Sequence, residues 1–552
     1  MDSYRVLVVE DHEPLRNAVR DLLESDGYVV STAMNGLHAM QVMREVRPDL
    51  ILADITMPRM DGYEFYQTVR SNPNWTPIPF IFLTAKADRE DAQRAIAAAR
   101  KAFDDGPWKD MPGEERAGYL DKMAELLTAN AERFAEAEAR DSGGTIKKAT
   151  FADVPGGAGA LRWFARMARE RPQVEQLEGS PFPPSENYVR YEPYGVCTGI
   201  VPFNFPLLMA CWKLGPALAA GNTSVIKPAS YTSITALMLG ELAQEADLPP
   251  GVLNVIAGPG GTAGEELAAN ESVDKVAFTG STEVGRRIMQ LASGTVKPVT
   301  LELGGKSANI VLDDADLDIA AAAVLFGTFF HNGQVCESGT RALVHKSIYD
   351  EFLSLLVDRA GKIVIGSQLD FNSDLGPLVA RSQADTVRRY VALGREEVGE
   401  PVCGGSEPEG LADGLVTENF YRPTIFAGVS NEARIAQEEI FGPVLCVIPF
   451  ETDDEAVAIA NASIYGLGGG VQSGNVERAQ AIADRLQTGT VWINDYHMIS
   501  PERPFGGYKQ SGIGRELGTA GFDIYRQAKH VHTNPSTGRD GYMHLAALSG
   551  NI

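Results

Sequence analysis

The chain has 552 residues, 44% hydrophobic and 22% charged, with a formal net charge of −24. That length exceeds what one hydrophobic core usually serves, so several domains are expected. The acidic balance argues against a broad nucleic-acid or anionic-membrane surface, while leaving room for small anions on backbone N–H groups.

The first segment alternates strand-like and helix-like patterns. RVLVV (5–9), LILAD (50–54) and FIFLT (80–84) read as buried strands, with helical stretches over 14–25 and 36–46. This rhythm predicts a parallel, doubly wound sheet. Each strand ends in a polar residue at the edge where ligands bind: Glu10 and Asp11, then Asp54, then Thr84. Three converging acids repel unless a divalent cation sits among them; acids that merely cap strand ends are the equal alternative.

From residue 92, AQRAIAAARKAFDD reads as an amphipathic helix without Pro or Gly, and no Gly/Ser-rich linker precedes it. A second strand–helix array follows in GVCTGIVPF, TSVIKPA, VLNVIAG and KVAFTG, with a helix over 234–246. The five cysteines, Cys197, Cys211, Cys336, Cys403 and Cys446, form no CxxC pair, which excludes a zinc knuckle and suits a reducing compartment. The N-terminus lacks a basic leader and no apolar run is long enough to span a bilayer, so a cytoplasmic protein is expected.

GPGGTAGEE (258–266) and FTGSTEVGRRI (278–288) place glycines between a strand and a helix, where phosphate can approach the backbone. GGKS (304–307) looks like the end of a P-loop, but Thr300 stands where that motif needs glycine. Cys336 lies in FFHNGQVCESGTR, and Glu302 in LELGGKSANIV. A buried structural cysteine is the commoner fate of a thiol, and Glu302 could equally be a surface acid. Yet Gly333, Ser338 and Gly339 keep the thiol's region open, and a helix starting at or just after it would stabilise its anion.

Two resemblances draw these features together. VLVVEDHEPLR, PDLILADITMPRMDGYEF and PFIFLTAKAD resemble the receiver domain of bacterial response regulators over residues 4–88. The resemblance implies Asp54 as phospho-acceptor, Glu10, Asp11 and Asp54 around Mg, Thr84 as the switch hydroxyl and a histidine kinase as partner. The family's fifth strand, ending in a lysine before proline, has no counterpart, and Lys86 comes too early. The receiver-like sheet is therefore truncated.

PFNFPLLMACWKLGPALAAGNTSVIKPAS, FTGSTEVG, LELGGKSANIV, FFHNGQVCESGTR, EEIFGPV, YGLGGGV and PFGGYKQSGIGREL, in that order, resemble the aldehyde dehydrogenase superfamily over about residues 90–530. By that resemblance Cys336 is the nucleophile, giving a thiohemiacetal and then, after hydride transfer, a thioester. Asn204 and the Cys336 N–H hold the oxyanion, and Glu302 is general base for the hydrolytic water. Lys227, Gly280, Ser281, Glu439 and Phe441 hold the dinucleotide. Ser230 stands where many NAD-specific relatives carry a Glu, so NAD is expected with some use of NADP. Residues 206–212 and 492–512 are most similar to betaine-aldehyde and ω-aminoaldehyde dehydrogenases, which implies a cation-holding tunnel of Phe205, Trp212, Phe330, Tyr496 and His497. Ordinary channel wall is the alternative.

The expected fold is α/β. A truncated receiver-like doubly wound sheet (1–88) precedes an aldehyde dehydrogenase fold: a Rossmann-like dinucleotide domain (89–302, with 504–530 returning to it), an oligomerisation hairpin near 175–194, a catalytic domain (303–503) and a loose tail (531–552). Relatives are dimers or tetramers. Three rivals stand beside this reading: a phospho-receiver signalling module, a catalytically dead fusion, and a side activity as a thiol esterase.

Overall fold

In the computed structural model the described residues are 4–538, apart from 26, 56, 77, 84–88 and 180–183, together with 541, 542 and 544. They divide into two compact units, Met1–Asp88 and Arg89–Ile552.

The first unit contains β1 (Arg5–Val9), β2 (Val29–Ala33), β3 (Leu50–Asp54) and β4 (Phe80–Leu83) in one parallel sheet ordered β2-β1-β3-β4. Side chains alternate across it, as the two-residue strand period requires. Leu7, Val9, Ile51 and Ala53 pack on one face with Phe65 and Val69 of the helix Gly62–Ser71; Val6, Val8 and Leu52 meet Val19 and Leu23 of the helix Glu13–Ser25 on the other. The helix Gly62–Ser71 starts at a reciprocal cap between Asp61 and Glu64. β4 is an edge strand of this sheet, and the expected Thr84 and Lys86 lie outside the described residues.

The second unit opens with the helix Arg89–Asp104. Its Ala92, Ala95, Ile96 and Ala99 are buried among Val196, Val225 and Leu267, and the Thr223 hydroxyl donates to Ala99 O at 3.1 Å. The strands that follow are β5 (Val174–Leu177), β6 (Glu186–Pro193), β7 (Val196–Ile200), β8 (Thr223–Lys227), β9 (Leu253–Val255), β10 (Lys275–Thr279) and β11 (Val299–Glu302). Then come β12 (Ala308–Val311), β13 (Arg341–His345), β14 (Thr424–Ala427), β15 (Val444–Phe450), β16 (Gly468–Gln472), β17 (Thr490–Ile493), β18 (Gly512–Ile513) and β19 (Arg526–Thr533).

They form three sheets. One is ordered β18-β11-β10-β7-β8-β9, parallel except for β18 against β11; another, β14-β15-β13-β12-β16-β17, is parallel throughout; the third is an antiparallel sheet, β19-β6-β5. β7, β8, β10 and β12 are buried along their whole length, as strands covered by helices on both faces must be. The tail begins later than expected: β19 runs to Thr533, paired residue for residue with β6, because backbone pairing orders a segment whose polar side chains gave no strand signal.

Candidate active site

A single cavity of about 1440 Å³ is lined by Cys336, Glu302, Asn204, Lys227, Ser230, Gly280, Ser281, Glu439 and Phe441. These residues come from the ends of β7, β8, β10 and β11, from the loop before β13, and from the segment before β15. In open parallel sheets such convergence at the carboxyl ends of strands is where ligands bind.

Glycines bring the walls together. A Cβ at Gly304 would lie 1.9 Å from Glu439 Oε2, and one at Gly305 would lie 2.5 Å from the Cys336 carbonyl oxygen. Only residues without a side chain let β11's exit pass between the thiol's backbone and Glu439. Gly305 N–H donates to Glu439 Oε1 at 3.1 Å, and burial pushes the Glu439 carboxyl up to about 7.

Cys336 follows the helix Leu317–Phe329 and three successive left-handed residues, His331, Asn332 and Gly333. Cys336 and Glu337 form a turn, and the chain then enters β13. No helix begins at the thiol, so the expected helix-end stabilisation of its anion is absent. Its Sγ instead donates to Glu337 Oε2 at 3.1 Å. Burial, and then the charge of Glu337, push the thiol well above its usual range.

Both carboxyl oxygens of Glu302 are buried without a hydrogen-bond partner. Burial raises this carboxyl well above the ordinary value, and the nearby Glu516 raises it further against Lys213. An orphaned buried acid is costly unless something polar, such as water, meets it. Asn204 Nδ2 donates to Gln334 O at 2.7 Å, which fixes its amide beside the thiol's segment.

Lys227 Nζ donates to Pro228 O at 2.7 Å, and burial lowers it to about 8. Ser281 caps the helix Thr282–Ala292 by accepting from Val284 N–H, and a Cβ at Gly280 would strike the Phe278 ring at 2.5 Å. The site thus offers a lysine, a helix N-terminus reached through glycine, and a carboxylate along one wall, a donor set that fits a dinucleotide. Ser230 donates its hydroxyl to Gly258 O at 3.2 Å.

Of the expected tunnel, Phe205, Trp212, Phe330 and His497 line the cavity. Tyr496 does not. It is buried against Gly327, Gly339 and Gly470, and its hydroxyl donates to Glu337 O at 2.9 Å. Lys148 Nζ sits 4.0 Å from the Phe205 ring centroid, so one face of that ring already carries a protein cation. Sequence reading missed Phe326, Glu337 and Lys148. An acid directly after the thiol was the available signal for Glu337. In the first unit, ligand atoms of Glu10, Asp11 and Asp54 lie within 4.8 Å of one another. Burial raises the Glu10 carboxyl, although it accepts from His12 N–H.

The family model for the aldehyde dehydrogenase family matches residues 79–531, and that for the response regulator receiver domain matches residues 6–103. Betaine aldehyde dehydrogenase of Bacillus subtilis (strain 168) is 45% identical over 456 residues, covering 82% of this chain and 92% of that protein. Aldehyde dehydrogenase 1A1 of Homo sapiens is 43% identical over 451 residues, covering 81% of this chain and 88% of its own. A crystal structure of betaine aldehyde dehydrogenase from Staphylococcus aureus in complex with NAD+ superposes with a TM-score of 0.79 at 40% identity, covering 82% of this chain and 89% of that one. Fold and site therefore define an oxidoreductase with an α/β body. The chain belongs to the aldehyde dehydrogenase family, and its N-terminal segment carries a receiver-domain match.

The two matches overlap on 79–103, which includes most of the helix Arg89–Asp104. That helix is packed in the second unit. Among the described residues, no helix is long and apolar enough to cross a membrane.

Proposed function

We propose that this chain oxidises an aldehyde to a carboxylic acid with NAD+ through covalent catalysis at Cys336. The observation that carries this is one cavity in which a thiol and a buried, unpartnered carboxylate share walls with residues fit to hold a dinucleotide. Cys336 attacks the carbonyl carbon. Asn204 and the Cys336 N–H stabilise the oxyanion, and Glu302 draws a proton from the water that releases the acid. When bound, NAD+ supplies the hydride acceptor. Lys227 and Glu439 hold its riboses, Gly280 and Ser281 its pyrophosphate, and Phe441 packs by the ring. Ser230 puts no carboxylate against a 2′-phosphate, so NADP is accepted with lower efficiency.

For the aldehyde, the relatives' names and the rings of Phe330, Trp212 and His497 favour a betaine aldehyde or aminoaldehyde, whereas Lys148 over Phe205 disfavours a cation there. We assign the cationic aldehyde first and the aliphatic aldehyde second. A homo-oligomer is proposed through the exposed edge β5 of the antiparallel sheet, and a cytoplasmic location. NADH formation against an aldehyde panel, beside Cys336→Ala, tests the reaction; oxidation retained by the Ala variant would end this reading.

The carboxylates Glu10, Asp11 and Asp54 fit a divalent cation, which would be held there as Mg2+. With β4 at the sheet edge and no lysine-bearing fifth strand among the described residues, we place phosphorylation of Asp54 by a histidine kinase second to the dehydrogenase reading. Phosphate incorporation from acetyl phosphate, abolished by Asp54→Ala, would reverse this.

A further inference from the structure

Glu337 makes a contact at the reacting sulfur that the proposed reaction has not used. Its side chain is 5% exposed, and its two oxygens are engaged separately. Oε2 accepts from Cys336 Sγ at 3.1 Å and Oε1 from His497 Nδ1 at 3.0 Å. The backbone is pinned too, because Tyr496 donates its hydroxyl to Glu337 O.

His497 is held in a left-handed conformation, φ 61°, that non-glycine residues adopt at a cost. Rings of Phe326, Phe330 and Tyr496 surround its imidazole at centroid distances of 5.3, 5.6 and 4.9 Å. Its Nε2 is buried without a partner at the cavity wall. By contrast, neither oxygen of Glu302 has a hydrogen-bond partner among the described residues. Glu302 and Glu337 thus stand in one site in different surroundings, a pattern that separates acid–base duties.

We propose that Glu337 is the base that takes the Cys336 proton as sulfur attacks the aldehyde, and that His497 positions its carboxylate for this. The inference rests on Cys336 being the nucleophile. In the step, the S–H bond breaks and the S–C bond forms. The proton passes to Glu337 Oε2, and the carbonyl π pair moves to oxygen. When the acid is released, the C–S bond breaks, sulfur leaves with the pair, and Glu337 returns the proton. Glu302 serves only the water.

The electrostatics define what this base must overcome: burial, the charge of Glu337 and its hydrogen bond hold the proton on sulfur until attack begins. Burial acts to raise Glu337, but the hydrogen bonds from His497 and Cys336 outweigh it and hold the carboxyl below its ordinary value. It is therefore a proton acceptor throughout the neutral range. The thiol is pushed far up, so free thiolate is scarce and attack needs a base. Besides Cys336, His497 and Tyr496, the other charges near the sulfur are Glu302 and Glu439.

The test uses the full-length chain and two readouts: the pre-steady-state burst of NADH, and alkylation of Cys336 by iodoacetamide without cofactor, each from pH 6 to 9. For the unaltered protein both rates are expected to be nearly flat with pH. In Glu337→Gln the burst slows by about 10²-fold, the usual scale of general-base assistance. Both rates then rise about tenfold per pH unit, as the thiolate fraction does. Glu302→Gln keeps the burst and loses turnover. His497→Gln slows the burst less than Glu337→Gln and keeps the flat profile. If Glu337→Gln does not fold, Glu337→Asp serves: it keeps the charge, draws the carboxylate back from sulfur, and slows the burst. A Gln or Asp variant with the original burst rate and pH profile overturns the proposal. Aldehyde oxidation by Cys336→Ala would instead overturn the nucleophile assignment beneath it.

Discussion

Asn204 hands an amide proton to the carbonyl of Gln334, two residues ahead of the thiol, at 2.7 Å. The bond ties the loop after β7 to the segment carrying Cys336, and in the proposed mechanism the second Nδ2–H serves the oxyanion. Asn204→Ala should lower kcat by about 10²–10³, the usual effect of removing one oxyanion donor. Rapid-quench measurement of the acylation step checks this, and an unchanged rate would remove Asn204 from the oxyanion site.

Glu302 yields a prediction with a definite sign. Its carboxyl is raised by burial and by Glu516, so it is a base only above that raised value. Thioester hydrolysis should therefore fall as pH falls through that raised value. The same shift bears on folding: stability from the protonated form is present at low pH and lost as pH rises through the raised pKa. Glu302→Gln should melt higher than the unaltered protein at pH 9, with the gap closing towards pH 5. Calorimetry across that range is the measurement, and a gap that widens at low pH would contradict it.

Gly304→Ala should be severe despite adding one methyl. The new carbon would meet Glu439 at 1.9 Å, and overpacking of this kind costs about 1–3 kcal/mol. Glu439 must move, so KM for NAD+ should rise more than KM for aldehyde. Steady-state kinetics with each substrate varied separately will show which rises.

Ser230 is the coenzyme test. Ser230→Glu should depress kcat/KM for NADP while leaving that for NAD nearly unchanged, because only the former brings a 2′-phosphate near the new charge. An NADP-favouring ratio in the unaltered enzyme would reverse the assigned preference.

For the aldehyde tail, Trp212→Ala is a poor probe, since Trp212 is 4% exposed and its removal would open a core cavity. Phe330→Leu is cleaner. It should raise KM for betaine aldehyde more than for hexanal, and equal effects would leave the aromatic lining as plain channel wall.

Much of this was legible beforehand. RVLVV and LILAD became β1 and β3 without change, because short apolar β-branched runs between helices have few other uses. Cys336, Glu302 and Glu439 were named from motifs that resemble the aldehyde dehydrogenase family, and all three line one cavity. Contacts across sequence could not be read. His497 meets Glu337 across 160 residues, and Tyr496 sinks into sockets left by Gly327, Gly339 and Gly470. An aromatic that is floor rather than wall has the same sequence signature. Lys148 over Phe205 was invisible for the same reason.

The stretch Arg89–Asp104, most of it within both family matches, decides where the chain can be cut. Its alanine face is cemented to β7, β8 and the segment around Leu267, with Arg89 and Arg100 clasping Glu266 and Asp274. Scissors placed just ahead of Arg89 would free an enzyme with its flank intact. Placed after Asp104, they would peel away the cover of β7 and β8 and leave a body unable to close.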